Sequence, residues 1–276
     1  MHPCVTRLFP APQADVPLEG LYLDHQLHTR GKGKPFVYSN FISSLDGRIA
    51  IAAESHITHT VPEAITNLRD WRLYQELAGQ ADLLITSGRY FRQSAIGEAQ
   101  ARLPVGEQEA YADIRAWRAD AGLAPQPDIA IMSSSLDIPG TALDPYRERR
   151  IIVVTGEDAD PRKARLLQED GVELVLAGSG RQVEGQQMVA ALAAHGYQSL
   201  YAIAGSSVFH TLLKARVLDR LYLTITYQLL GGTTFDTLTQ GSLLDPAQGM
   251  QLASLFHDPH APGGAGQLLC IFEPRR

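Results

Sequence analysis

An acid set where an apolar strand breaks is the first place in this chain where residue types and spacing suggest chemistry. Phe36, Val37, Tyr38, Phe41 and Ile42 have the aromatic and β-branched character of a covered strand, and Ser43, Ser44, Asp46 and Gly47 then interrupt it. Open α/β sheets bind ligands beyond the carboxyl ends of their strands, which makes Asp46 a candidate site residue. The same dipeptide, Asp46-Gly47, would equally suit a hairpin turn in which the acid serves its own loop's N–H groups.

Three further strand ends repeat the design, an apolar run released into small polar residues whose N–H groups can face an anion. In Leu83-Leu84-Ile85-Thr86-Ser87-Gly88-Arg89-Tyr90, the Arg89 guanidinium offers a planar fork of donors to phosphate oxygens. In Ile129-Ala130-Ile131-Met132-Ser133-Ser134-Ser135, consecutive hydroxyls could donate to phosphate without adding charge, although such a run is also ordinary loop composition. In Ala202-Ile203-Ala204-Gly205-Ser206-Ser207, a strand runs into a helix N-terminus, where free N–H groups and the helix dipole favour an anion and Gly205 permits close approach. Ser206 could instead cap that helix. Val154-Thr155-Gly156 forms a fourth, weaker case. The rival Gly178-Ser179-Gly180 fails as a dinucleotide fingerprint, because the third glycine is due at Val183 and the next strand ends without an acid.

These turns need a scaffold. ADLLIT, DIAIM, RIIVV, VELVLA, SLYAIA and RLYLTITYQLL read as strands, and helices are expected over 62–78, 106–121, 161–170, 184–195 and 206–216. The alternation indicates an α/β domain whose late strands crowd together, hence a mixed sheet. Residues 1–35, rich in Pro, Gly and His, read as a loosely structured extension packed on a single domain spanning 36–276. With 24 basic against 30 acidic residues, net charge −6 argues against a nucleic-acid or anionic-membrane surface, and no apolar run is long enough to span a bilayer. Cys4 and Cys270 form no pairing or zinc pattern. The His25/His28, His56/His59 and His257/His260 pairs lack companion ligands, so no metal is expected. The N-terminus shows no targeting segment, and a reducing cytoplasm is the expected compartment.

The string SSLDGRIA resembles the opening strand of the riboflavin-pathway pyrimidine reductases, the NADPH-dependent half of the bifunctional deaminase-reductase, with a dihydrofolate-reductase-like fold. The resemblance continues through ESHIT (54–58), DLLITSGRYF, DIAIMSSSLDIP, IIVVTGE and YAIAGSSVFHTLLKARVLDRLYLTITYQLLGG, covering nearly everything after residue 35. It implies a three-layer domain with a mostly parallel, mixed sheet flanked by helices. It also implies NADPH held by Ser87, Gly88, Arg89, Tyr90, Ser133, Ser134, Thr155, Gly205, Ser206, Ser207, Leu230 and Gly231. Ser44 and Asp46 would carry the catalytic role, with Asn40, Ser44 and Asp46 touching a small-molecule substrate. A homodimer is implied too, for which Leu212 to Leu223 could supply an interface or simply core.

The zinc deaminase signature of the bifunctional relatives is absent. The chain also departs from the family on the substrate side. Asn40 stands where a Lys is common, Ile203 replaces an acid before the glycine turn, and an insert at about 93–127 replaces the phosphate-gripping D-D-P-x-L-T-V-R segment. The implied activity is reduction of a ribosylamino-pyrimidine phosphate. A pterin-like substrate, or nucleotide binding without turnover, are the alternatives.

Overall fold

The computed structural model describes residues 3–52, 59–99, 102–261 and 263–275; ESHIT and His56 lie outside them. The strands are β1 (Cys4–Phe9), β2 (Gln13–Pro17), β3 (Phe36–Ser43), β4 (Ala50–Ala52), β5 (His59–Thr60), β6 (Leu83–Ser87), β7 (Asp128–Met132), β8 (Ile151–Thr155), β9 (Glu173–Leu176), β10 (Ser199–Ala202), β11 (Arg220–Thr226), β12 (Phe235–Asp236), β13 (Met250–Asp258) and β14 (Gln267–Pro274). The helices are α1 (Leu68–Gly79), α2 (Gly88–Ala95), α3 (Ala112–Asp120), α4 (Pro161–Glu169), α5 (Gly185–Ala194) and α6 (Ser206–Lys214).

The main sheet has eleven strands in the order β2-β1-β13-β14-β11-β3-β10-β6-β7-β8-β9. From β11 to β9 every pairing is parallel, and the pairings from β2 to β11 are antiparallel. Parallel strands covered on both faces must be apolar along their length, and the IIVVT of β8 is buried at every residue. One apolar layer, containing Tyr38, Leu73, Leu77, Ile129 and Tyr201, lies between the sheet and α1. The opposite layer, containing Val37, Ile85, Ala130, Met188, Leu200 and Leu212, packs under α5 and α6. Strand alternation sends Val37 and Tyr38 to these two sides. This is the expected three-layer dihydrofolate-reductase-like fold with a mostly parallel, mixed sheet.

Residues 1–35 depart from the expectation of a loose extension. β1 pairs antiparallel with β13 through Thr6↔His257 and Arg7↔Phe256, and β2 closes the sheet edge beyond it. The segment is also tied to α1: Glu76 accepts from the backbone N–H groups of Gly20 and Tyr22, and Gln80 accepts from that of Leu27. The helix expected from residue 62 begins at Leu68, because Asn67 accepts from the N–H groups of Arg69 and Asp70 and sets the cap there. α3 likewise starts at Ala112, after a short 3-10 turn. α2 was not anticipated. Within the insert, Arg118 is 1% exposed and donates to the carbonyls of Ala78, Gly79, Ala81 and Ala124, fastening α3 to the end of α1.

Candidate active site

Parallel pairing puts the carboxyl ends of β10, β6, β7 and β8 on one rim. Ala202 is in register with Ile85, Ser87 with Met132, and Met132 with Val154. The turns beginning at Gly205, Gly88, Ser133 and Gly156 therefore follow one another along that rim. On the α1 side lies a cavity of about 1140 Å³. Asn40, Ser87, Arg89, Tyr90, Gly205 and Ser206 line it, so six of the residues expected at the site share one space.

Gly205 caps α6 with extended backbone, no side chain caps that helix, and nothing lies within 4 Å of where a Cβ on Gly205 would stand. Ser206 turns its hydroxyl toward Gln240 at 3.5 Å instead of capping the helix. The N-terminus of α6 thus faces open space at the cavity wall, as an anion site requires. Arg89 starts α2 with half of its side chain exposed, and its only ion-pair neighbour among the described residues is Asp236 at 3.7 Å. Asp236 accepts more closely from His59, whose ring nitrogen lies 3.0 Å away. The Arg89 fork is therefore largely available to an incoming phosphate. Tyr90 shares a 2.9 Å hydrogen bond with Tyr146 that fixes the wall beside it.

Other expected residues sit differently. Ser133 spends its hydroxyl on the N–H of Leu136, and Ser134, although exposed on the same rim, does not line the cavity. Thr155 is fully buried and its hydroxyl has no partner among the described residues. The loop 178–180 closes over it, since a Cβ on Gly156 would lie 1.8 Å from the Gly180 carbonyl oxygen. Ser207 is exposed, away from the cavity wall.

Asp46, Ser44, Leu230 and Gly231 bond to one another. The Asp46 carboxylate accepts from Ser44 Oγ at 2.5 Å, from Gly231 N at 2.8 Å and from Leu230 N at 3.2 Å, and pairs with Arg48 at 2.7 Å. The Ser44 hydroxyl and the Gly231 N–H hold its carboxyl down to about 2. This acid is a clasp between two loops, and the N–H groups it serves belong to the distant Leu230-Gly231 loop and not to its own turn. An acid ionised at neutral pH and saturated with donors is poorly suited to proton donation.

One acid in the cavity wall is Asp70, in the first turn of α1. It is half-buried, and Thr224 Oγ1 on β11 donates to its Oδ1 at 2.6 Å. Burial raises its carboxyl to about 6, against the opposing pull of the Thr224 bond. Sequence reasoning passed over Asp70 as an ordinary helix residue. The available signal was a cap, Asn67, with an acid three residues on, opposite a Thr inside the apolar RLYLTIT run. Beside it, Asn40 Oδ1 accepts from Tyr201 at 2.6 Å, which leaves the Asn40 amide N–H groups for the cavity. Trp71 and Tyr74, 4.8 Å apart at their ring centroids, give the same space an aromatic wall.

Of Arg92, Arg102, Arg115 and Arg118, the last two hold backbone carbonyls, Arg92 binds the Asp137 carbonyl, and Arg102 lines the cavity. Among the described residues no group of three His, Cys, Asp or Glu side chains could hold a metal, and no helix is long and apolar enough to cross a membrane. Leu212, Leu213, Leu218 and Leu221 are buried within the chain itself, so the segment suggested as an interface supplies core.

This rim of Gly and Ser turns beside a half-buried acid belongs to a recognised class: residues 35–259 match the model of the RibD C-terminal domain, and the chain belongs to that family. Among solved structures, it is similar to a pyrimidine reductase-like protein from Corynebacterium diphtheriae, with TM-score 0.69 and 19% identity over 95% of this chain and 100% of that one. RibD from Acinetobacter baumannii aligns with TM-score 0.62 and 16% identity, over 90% of this chain and 61% of that one. The riboflavin biosynthesis reductase of Saccharomyces cerevisiae aligns with TM-score 0.58 and 14% identity, over 93% and 99%. No curated protein sequence matches the chain.

Proposed function

We propose that this chain is an NADPH-dependent oxidoreductase that reduces a small planar substrate in the cavity beneath Gly205 and Arg89. The observation that carries the reading is Asp70, a half-buried carboxyl raised to about 6 and held by Thr224 in the wall of a cavity whose rim ends in an uncapped helix. Reduction of a C=N or C=C bond needs a hydride on one atom and a proton on its neighbour. The nicotinamide, when bound, supplies the hydride. The N–H groups at the start of α6 and the Arg89 guanidinium would hold its phosphates, which fits their open, cationic character.

The chain's own residues would do the rest. With its carboxyl raised to about 6, Asp70 would take up a proton as pH falls toward that value, and it presents Oδ2, because Oδ1 is engaged by Thr224. Asn40 donates to a substrate carbonyl, Trp71 and Tyr74 offer aromatic surface to a ring, and the insert limits access of water. Family membership makes 5-amino-6-(5-phosphoribosylamino)uracil the leading substrate, with a pterin-type ring second. The homodimer and the cytoplasmic compartment belong to the same reading, and the unpaired Cys4 and Cys270 suit a reducing environment.

The test is a titration of the protein with NADPH and NADH, followed by NADPH oxidation against pyrimidine and pterin panels. Micromolar NADPH binding with turnover on one panel is expected. Binding without turnover on either panel would favour a nucleotide-binding protein, and failure of both dinucleotides to bind would end the reductase reading.

A further inference from the structure

His59, Asp236 and Arg89 form a charge chain in the wall of the main cavity, of which the proposed function uses only the last member. Asp236 reaches His59 Nδ1 with Oδ1 at 3.0 Å and Arg89 with Oδ2 at 3.7 Å, and all three residues line the cavity. The Asp236 side chain is 11% exposed against 48% for Arg89, so a sheltered acid sits between an open guanidinium and a half-buried imidazole.

The small sheet builds this chain. Its strands run in the order β12-β4-β5, with Asp236 opposite Ala50 and His59 opposite Ala52. Ala50 and Ala52 lie two residues apart and share one face of β4, so Asp236 and His59 stand on that face as well. The strand between them contributes only methyl groups there, which lets the two polar side chains meet across it. The Ile49 N–H donates to the Asp236 carbonyl at 2.9 Å and holds β12 at this point.

Histidine is the side chain suited to changing charge near neutral pH. With Nδ1 engaged by the carboxylate, a neutral ring keeps its hydrogen there and leaves Nε2 bare, so an added proton goes to Nε2. While the ring is neutral, the charges of the chain cancel and Asp236 opposes any anion approaching Arg89. Once the ring is protonated, His59 answers Asp236 and the guanidinium meets the anion with its charge uncompensated. Among the described residues, the charged groups facing the ring are Asp236 from β12 and, beyond it, Arg89 from α2. Arg48, before β4, lies over the Phe235 ring but pairs with Asp46 at 2.7 Å. Glu63, Asp70 and Glu98 line the same cavity without pairing with His59, and Arg102 adds a cation to its wall.

We infer that His59 couples dinucleotide binding to proton uptake: a phosphate arriving at Arg89 draws a proton onto His59 Nε2, and His59 replaces Arg89 as the partner of Asp236. The inference rests on Arg89 meeting a cofactor phosphate, as proposed above. A nearby anion favours the protonated ring, and linkage requires the converse, that the protonated ring favours the anion. NADPH affinity therefore rises as pH falls through the range in which His59 titrates, by up to about tenfold per pH unit for one proton.

The test is the NADPH dissociation constant of the full chain, measured by calorimetric titration between about pH 6 and about pH 8 in wild type, His59→Gln and Asp236→Asn. The titration of the ligand's own phosphate is common to all three and cancels in the comparison. Wild type should tighten toward low pH by about three- to tenfold more than His59→Gln does over this range. Asp236→Asn removes the opposing anion and should tighten NADPH at the alkaline end by up to about fivefold. The His59 ring signal, followed by NMR, should titrate at higher pH with NADPH bound. If Asp236→Asn does not fold, His59→Gln and the ring titration decide. Equal pH slopes in wild type and His59→Gln, weaker binding in Asp236→Asn, or a ring titration that NADPH leaves unmoved would overturn the coupling and leave the reductase reading standing. NADPH that binds at no pH would remove both.

Discussion

Thr224 donates a 2.6 Å hydrogen bond to Asp70 across the interface between β11 and α1, and this pair holds a raised carboxyl that faces the main cavity. Thr224 lies two residues beyond Tyr222, the register partner of Asn40, so both polar groups are presented from the same face of neighbouring strands.

If Asp70 donates the proton, kcat/KM for NADPH-driven reduction falls as pH rises through about 6. Asp70→Asn removes that limb and lowers kcat by about 10²- to 10⁴-fold while leaving NADPH affinity nearly intact. The same group sets a stability trend. Its carboxyl is raised in the fold from 3.8 to about 6, so the native chain holds the extra proton and ∂ΔG/∂pH is negative between those values. The contribution is complete below about 4 and is lost as pH rises through about 6. Urea midpoints for wild type and Asp70→Asn across that window would show it, and parallel curves would refute it.

Asp46 behaves in the opposite sense. Its carboxyl is lowered from 3.8 to about 2, so its contribution is present above about 4 and disappears as pH falls toward 2. Asp46→Asn therefore loses less stability on acidification than wild type does. Hydrogen exchange at the Leu230 and Gly231 amides, both bonded to Asp46, should quicken in the variant at neutral pH. Unchanged protection at those two amides would count against the clasp.

Arg89→Ala should erode discrimination between phosphorylated and unphosphorylated dinucleotide. A charge-assisted bond is worth about 1.5–3 kcal/mol, so the ratio of NADH to NADPH dissociation constants should fall by about 10- to 100-fold, with NADH affinity little changed. Equal losses for both cofactors would assign Arg89 to a phosphate they share.

Arg118→Met leaves the carbonyls of Ala78, Gly79, Ala81 and Ala124 without their common donor inside the protein. A loss of about 3 kcal/mol or more in chemical denaturation is expected, from several stranded acceptors. A cost below about 1 kcal/mol would mean that water reaches this joint.

The rim was readable from residue order because its strands announce themselves locally. Leu83 to Ser87, Asp128 to Met132 and Ile151 to Thr155 are apolar runs ended by small polar residues, and Asp160-Pro161 marks the start of α4 with a cap and a fixed φ. What stayed hidden depends on distant partners. Asp46 looks like a site acid until Leu230 and Gly231 are brought to it. Asp70 looks like a helix surface residue until Thr224 is brought to it. Gly88 and Arg89 read as a turn, yet they open α2, which Phe91 anchors in the core at 0% exposure. The segment 4–17 carries only weak strand character, and its conformation is dictated by pairing with a strand some 250 residues away.

That last pairing bears on how the protein is made. Thr6 cannot meet His257 until some 250 further residues have left the ribosome, so Cys4–Phe9 must wait through their synthesis with its hydrogen-bonding edge toward β13 unmatched. The parallel strands β3, β6, β7, β8 and β10 can assemble earlier, but the sheet's far margin is sealed by two segments some 250 residues apart. Biogenesis should therefore show a late, chaperone-sensitive step at this seam, however quickly the centre consolidates.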